Sequence, residues 1–135
     1  VPSEGCGTMI VFCVQLTPDS MIAVAELTRY AVAGVLEVLG TRGVHAEDVD
    51  PPEFILGRHS RQRFRLAPGP ATMTVSTDDV DAGSVQIVLR GPGFGRRFGA
   101  GEQDPVVWMQ LVVFGVWLAE TYRVAAVVTD PDHGG

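Results

Sequence analysis

The run "TMIVFCVQL" (8–16) is apolar almost throughout and rich in branched and aromatic side chains. It is too short for a solitary helix and predicts a strand buried on both faces. Helical spacing follows at once. Met21, Val24, Ala25, Thr28, Val32, Val35, Leu36 and Leu39 recur on one side, with Glu26, Arg29 and Glu37 on the other. Thr17 is the expected N-cap, with Pro18 in the first helical position and Asp19 near the positive end of the dipole. Gly40 and Gly43 are the expected stop.

"VHAEDVDPPE" (44–53) is acidic and carries a double proline, so it reads as a surface connection. Three strands are predicted next: "EFIL" with "RQRFRLA", broken around Gly57, then "TMTVSTD" and "SVQIVLR". Each alternates, Gln62, Phe64 and Leu66 against Arg61, Arg63 and Arg65 being the clearest case. The turns "APGPA" and "DDVDAG" make them antiparallel hairpins with one apolar face. A second helix is predicted from Asp104 as N-cap and Pro105 as first residue, through "VVWMQLVVFGVWLAETYR". "VAAVV" (124–128) is a candidate last strand.

These elements predict an α+β fold. It is a two-layer sandwich with an antiparallel sheet of four to five strands and two helices on one face, in the order β-α-β-β-β-α. The expected organisation is a flexible lead-in over 1–8, a single domain over 9–128 and a disordered tail over 129–135.

Between Val106 and Ala119 the only polar side chain is Gln110. The run is shorter than the roughly 20 residues that span a bilayer, yet a helix apolar all round must be covered all round. Trp108 and Trp117 lie nine positions apart and so point to opposite sides. Trp108, Val112 and Trp117 are therefore candidate residues for a twofold dimer interface or a ligand pocket.

Composition narrows the chemistry. The chain is 46% hydrophobic and 19% charged, which fits a packed core over disorder, and its net charge of −6 argues against nucleic acid as a partner. It has no lysine and no asparagine, as GC-rich bacterial coding favours. Without lysine there is no Schiff base, no pyridoxal anchor and no complete Walker loop. "VPSEGCGTM" has no basic residue ahead of the apolar stretch, so no signal peptide is expected. Cys6 and Cys13 make a poor disulfide pair, and a reducing cytoplasm is the expected location.

The stretch "RGPGFGRRFGAGEQDPVVW" (90–108) invites a phosphate-cradle reading, which its spacing rejects. Phe98 stands where a dinucleotide fingerprint starting at Gly93 needs its third glycine, and Asp104 where one starting at Gly99 needs it. An acidic N-cap also repels phosphate. The stretch reads as a mobile connection or lid over 91–101, with Arg96 and Arg97 able to clamp a carboxylate or phosphate bidentately.

Seven of the ten arginines fall between Arg58 and Arg97, giving that segment a charge of +4 against −10 elsewhere. Arg61, Arg63 and Arg65 share one strand face, either as a solvated outer surface or as a dock for an acidic protein segment or small anion. Arg90 joins Arg96 and Arg97 as a candidate anion contact.

His59, in "GRHSRQR", neighbours Ser60, but adjacent strand residues face opposite ways, so no acid–base pair is expected. His45, Glu47, Asp48, Asp50 and Glu53 gather in one acidic segment, and "DDVDAG" begins like a calcium loop but has Arg90 at its twelfth position. Both read as turns. No catalytic residue, metal ligand set or cofactor is assigned. The expected function is a non-enzymatic binding or regulatory module: a small acidic homodimer that engages a protein partner. The alternative is an enzyme or ligand carrier whose apolar pocket, between sheet and helices, is lined by Phe94, Phe98, Trp108 and Tyr30 and gated by the glycine loop.

Overall fold

The computed structural model describes residues 9–55, 59–68, 70–79, 83–91 and 105–129. Over these residues the chain is α+β. Its elements are β1 (Met9–Gln15), α1 (Val24–Gly40), β2 (His45–Val49), β3 (Glu53–Ile55), β4 (His59–Ala67), β5 (Ala71–Asp78), β6 (Ser84–Arg90), α2 (Pro105–Tyr122) and β7 (Ala125–Thr129). The expected lead-in, the 91–101 loop apart from Gly91, the Asp104 cap and the tail beyond Thr129 lie outside the described residues.

The strands form one seven-stranded antiparallel sheet in the order β2-β4-β5-β6-β1-β7, with β3 beside β2 on the outer edge of β4. This corrects the expected four to five strands. The acidic segment at 45–49 is a strand because its carboxylates meet cations across the ladder: Asp48 stands opposite Arg65. Opposite charges on facing positions make a charged edge strand tolerable. The register shifts between Ala46 and Asp48, next to the double proline that ends the pairing.

The apolar face of the sheet carries Ile10, Phe12 and Val14 of β1, Val85, Ile87 and Leu89 of β6, Met73 and Val75 of β5, and Phe64 and Leu66 of β4, all buried. Alternation along β4, β5 and β6 produces this face, as the pattern predicts. By contrast β1, expected to be buried on both faces, buries Ile10, Phe12 and Val14 on one and leaves Val11 and Cys13 half-buried on the other. Gly115 of α2 lies over the β1–β7 junction. A β-carbon there would come within 3.3 Å of Phe12 and Ala126. Beside α2, α1 buries Leu27, Ala31, Val35 and Leu39, one residue per turn. The buried stripe is narrower than the predicted one and omits Met21, which is exposed.

The start of α1 is a second correction. It begins at Val24, and Ala23 in the N-cap position makes no side-chain cap. Residues 17–20 instead form a turn, with the Ser20 N–H donating to the Thr17 carbonyl at 3.0 Å. Their hydroxyls are used elsewhere. Thr17 Oγ1 and Ser20 Oγ both donate to the Arg123 carbonyl, at 3.0 and 2.9 Å. Cap chemistry is thus diverted into a tertiary tie that fixes the α2–β7 connection. The expected end of α1 holds: Gly43 has φ +78°, and the Val44 N–H donates to Leu39 at 3.0 Å.

Candidate functional site

Among the described residues no helix or strand covers the other face of the sheet. On β4 the alternation that buries Phe64 and Leu66 turns Arg61, Arg63 and Arg65 outward, all three exposed. Register then decides what lies beside them. Arg61 faces Ser76 and then Gln86, Arg63 faces Thr74 and then Val88, and Arg65 faces Thr72 and then Arg90. Directly opposed residues share a face, so Arg90 joins the β4 arginines across a column of three hydroxyls. Arg96 and Arg97, the other candidate anion contacts, lie outside the described residues.

The four cations are not equivalent. Arg61 is held by Glu53 at 3.3 Å and Arg65 by Asp48 at 3.8 Å. Arg63 and Arg90 have no ion-pair partner among the described residues. Arg61, Arg63 and Thr74 line a groove of about 470 Å³ together with Asp50, Pro51, Pro52 and Glu53. The rim is fixed by two hydrogen bonds, from the Asp50 N–H to the Arg63 carbonyl at 2.9 Å and from Gln62 Nε2 to the Asp50 carbonyl at 3.0 Å. The groove thus offers an anion the Arg63 guanidinium, which has no ion-pair partner among the described residues, and the Thr74 hydroxyl, beside the carboxylates of Asp50 and Glu53.

His59 lies at one end of the same face, its Nδ1 3.6 Å from Asp78. Ser60 points the other way and bonds Thr77, as the alternation predicts, while the Ser76 and Ser84 hydroxyls line the same groove as His59. Among the described residues no group of acidic, histidine or cysteine side chains is placed to hold a metal. Further along the face, β1 and β6 present Val11, Cys13 and Val88, all half-buried. Burial raises the pKa of the Cys13 thiol, which keeps it a protonated small hydrophobe.

The second exposed feature is the outer side of α2. Val113 is 68% exposed, Met109 61% and Val116 52%. Trp108 is half-buried against the core, Val112 is exposed at the helix flank, and Trp117 is half exposed. The two tryptophans thus occupy different sides of the helix, as their spacing predicts. Trp117 belongs to an aromatic chain: Phe12 stacks on Phe114, Phe114 on Trp117, Trp117 meets Tyr122 edge-on, and Tyr122 stacks on Tyr30. Tyr30 is therefore a member of a partly exposed aromatic cluster. Phe94 and Phe98, its expected pocket partners, lie outside the described residues.

Sequence reasoning singled out the arginine column but missed its counterions on β2 and β3. The available signal was the double proline between Asp48 and Glu53, which marks a strand edge as well as a connection. No described helix is long and apolar enough to cross a membrane. Compared with known protein families, with curated proteins and with solved structures, the chain finds no match in any of the three.

Proposed function

We propose that the chain is a non-enzymatic binding module, a small acidic homodimer that docks an acidic protein segment on the open face of its sheet. The observation that carries this reading is the gathering of Arg61, Arg63, Arg65 and Arg90 around Thr72, Thr74 and Ser76. A chain of net charge −6 that concentrates cations on one face creates a local field that steers an acidic partner to that face and away from the rest. The filled core supports a binding module over a carrier: Phe12, Leu27, Leu66, Ile87, Leu111 and Leu118 are fully buried. The apolar exposure of Val112, Val116 and Val127 supports self-association, since monomers seldom leave such a patch bare.

The test is fluorescence anisotropy with a labelled extended peptide alternating glutamate and valine. Wild-type protein should bind it, raised salt should weaken binding, and the Arg61→Ala/Arg63→Ala/Arg65→Ala variant should bind severalfold more weakly. Equal binding by wild type and variant would rule out this face as the dock.

A further inference from the structure

The two edges of the sheet are built differently. The β2–β3 edge carries Glu47, Asp48, Pro51, Pro52 and Glu53, the charges and prolines that keep an edge strand from pairing. The β7 edge, "AAVVT", carries neither, and among the described residues no strand lies on its far side. Val127 on that edge is 54% exposed.

The geometry points to a second copy of this chain as the occupant of the β7 edge, the two β7 strands pairing antiparallel so that one sheet runs through the dimer. This rests on the dimer reading above and specifies its surface. An antiparallel pair of identical strands is self-complementary under a twofold axis, and fullest overlap of Ala125–Thr129 centres on Val127 facing its own copy.

The helix layer fits the same arrangement. Contacts of Gly34 with Phe114 and of Thr41 with Gln110 put α1 on one flank of α2. At ~100° per residue, the opposite flank carries Val112, Val116 and Ala119 and faces beyond the β7 edge. Gly115 places α2 over the β1–β7 junction. With strands about 4.8 Å apart, the two α2 helices would then lie about 10 Å apart across the axis, near the 8–10 Å of packed helices. Sheet edge and helix flank would close together.

One consequence bears on binding. The axis of such a pairing stands normal to the sheet, so both arginine-bearing faces point the same way. Their β4 columns would lie roughly 40 Å apart at ordinary strand spacing. Back-to-back packing through the outer side of α2 would instead turn those faces in opposite directions. The edge-paired dimer is therefore a bivalent platform, fitted to a partner that presents two acidic segments on one side.

Sedimentation velocity at micromolar concentration tests the pairing. Wild type should run as a dimer. Val127→Glu, with an unchanged circular dichroism spectrum, should run at the single-chain mass, because like charges then oppose each other at the axis. Val127→Arg should do the same, and an equimolar mixture of the two should recover the dimer. Independently, Val127→Cys in a Cys6→Ser/Cys13→Ser background should form an intermolecular disulfide on mild oxidation, since directly opposed strand residues lie within bridging distance. A monomeric wild type overturns both this pairing and the dimer reading. A dimer that ignores Val127→Glu but dissociates with Val113→Glu overturns the edge pairing alone, as does a charge-swapped mixture that stays monomeric.

Discussion

The ring of Phe114 lies directly on Gly34, so that a β-carbon built on the glycine would overlap it. The ring cannot simply turn aside, because it is stacked between Phe12 at 5.7 Å and Trp117 at 6.2 Å. Gly34 therefore sets how closely α1 approaches α2. Gly34→Ala should gain about 1 kcal/mol of helix propensity and lose more to overpacking, which costs about 1–3 kcal/mol. The expected net is a loss of up to about 2 kcal/mol in urea unfolding. Adding Phe114→Leu should recover part of it, a coupling that independent sites would not show.

The tie between Thr17, Ser20 and the Arg123 carbonyl gives a second coupled pair. Arg123 has φ +60°, an uncommon conformation for a residue with a side chain, and it turns the chain from α2 into β7. Either hydroxyl alone still satisfies the carbonyl. Thr17→Val alone should thus cost well under about 1 kcal/mol; Ser20→Ala, which also removes the acceptor of the Thr17 N–H at 2.7 Å, should cost about 1 kcal/mol, and the double variant about 2 kcal/mol, more than the sum. Additive losses in a double-mutant cycle would show that the two hydroxyls act independently.

Much of this architecture is legible in the sequence, and the departures have physical causes. Alternation in "RQRFRLA" and "SVQIVLR" places the buried and open faces correctly because one face meets a core and the other meets solvent. The start of α1 is misread because Thr17 and Ser20 serve a carbonyl more than a hundred residues away, a demand no local pattern encodes. β2 is misread because its pairing depends on arginines contributed by β4. For the site, outward projection of Arg61, Arg63 and Arg65 follows from period two alone. The place of Arg90 beside them needs the register of two hairpins, which the turns suggest but do not fix.

Cys13 sets a pH dependence whose sign follows from burial. The folded protein raises the thiol pKa, so the folded state holds its proton more tightly than the unfolded chain does. The resulting stability is fully present below the unfolded thiol value of about 8.5 and is lost as pH rises from there through the folded value. Unfolding by urea should show a decline across that alkaline window that Cys13→Val lacks. In a Cys6→Ser background, iodoacetamide should label Cys13 at pH 8 more slowly than it labels the denatured chain. Equal rates would mean that the thiolate is not disfavoured.

The arginine column should respond unevenly to substitution because its counterions are unevenly distributed. Glu53 already offsets Arg61, and Asp48 offsets Arg65, so removing either cation leaves an acid behind while deleting a charge that was partly screened. Arg63 and Arg90 have no such offset among the described residues. Exposed pairs of this kind contribute only about 0–1 kcal/mol, so the expected differences are severalfold, not orders of magnitude. With the glutamate–valine peptide at low salt, Arg63→Ala and Arg90→Ala should slow association about threefold or more and leave dissociation nearly unchanged. The converse substitutions discriminate better. Glu53→Gln and Asp48→Asn each remove a competing carboxylate and free a guanidinium, so both should strengthen binding, and the gain should vanish in the Arg61→Ala and Arg65→Ala backgrounds respectively. A gain that persists without its arginine would mean that the change reports net charge alone, and not a carboxylate displaced from this face.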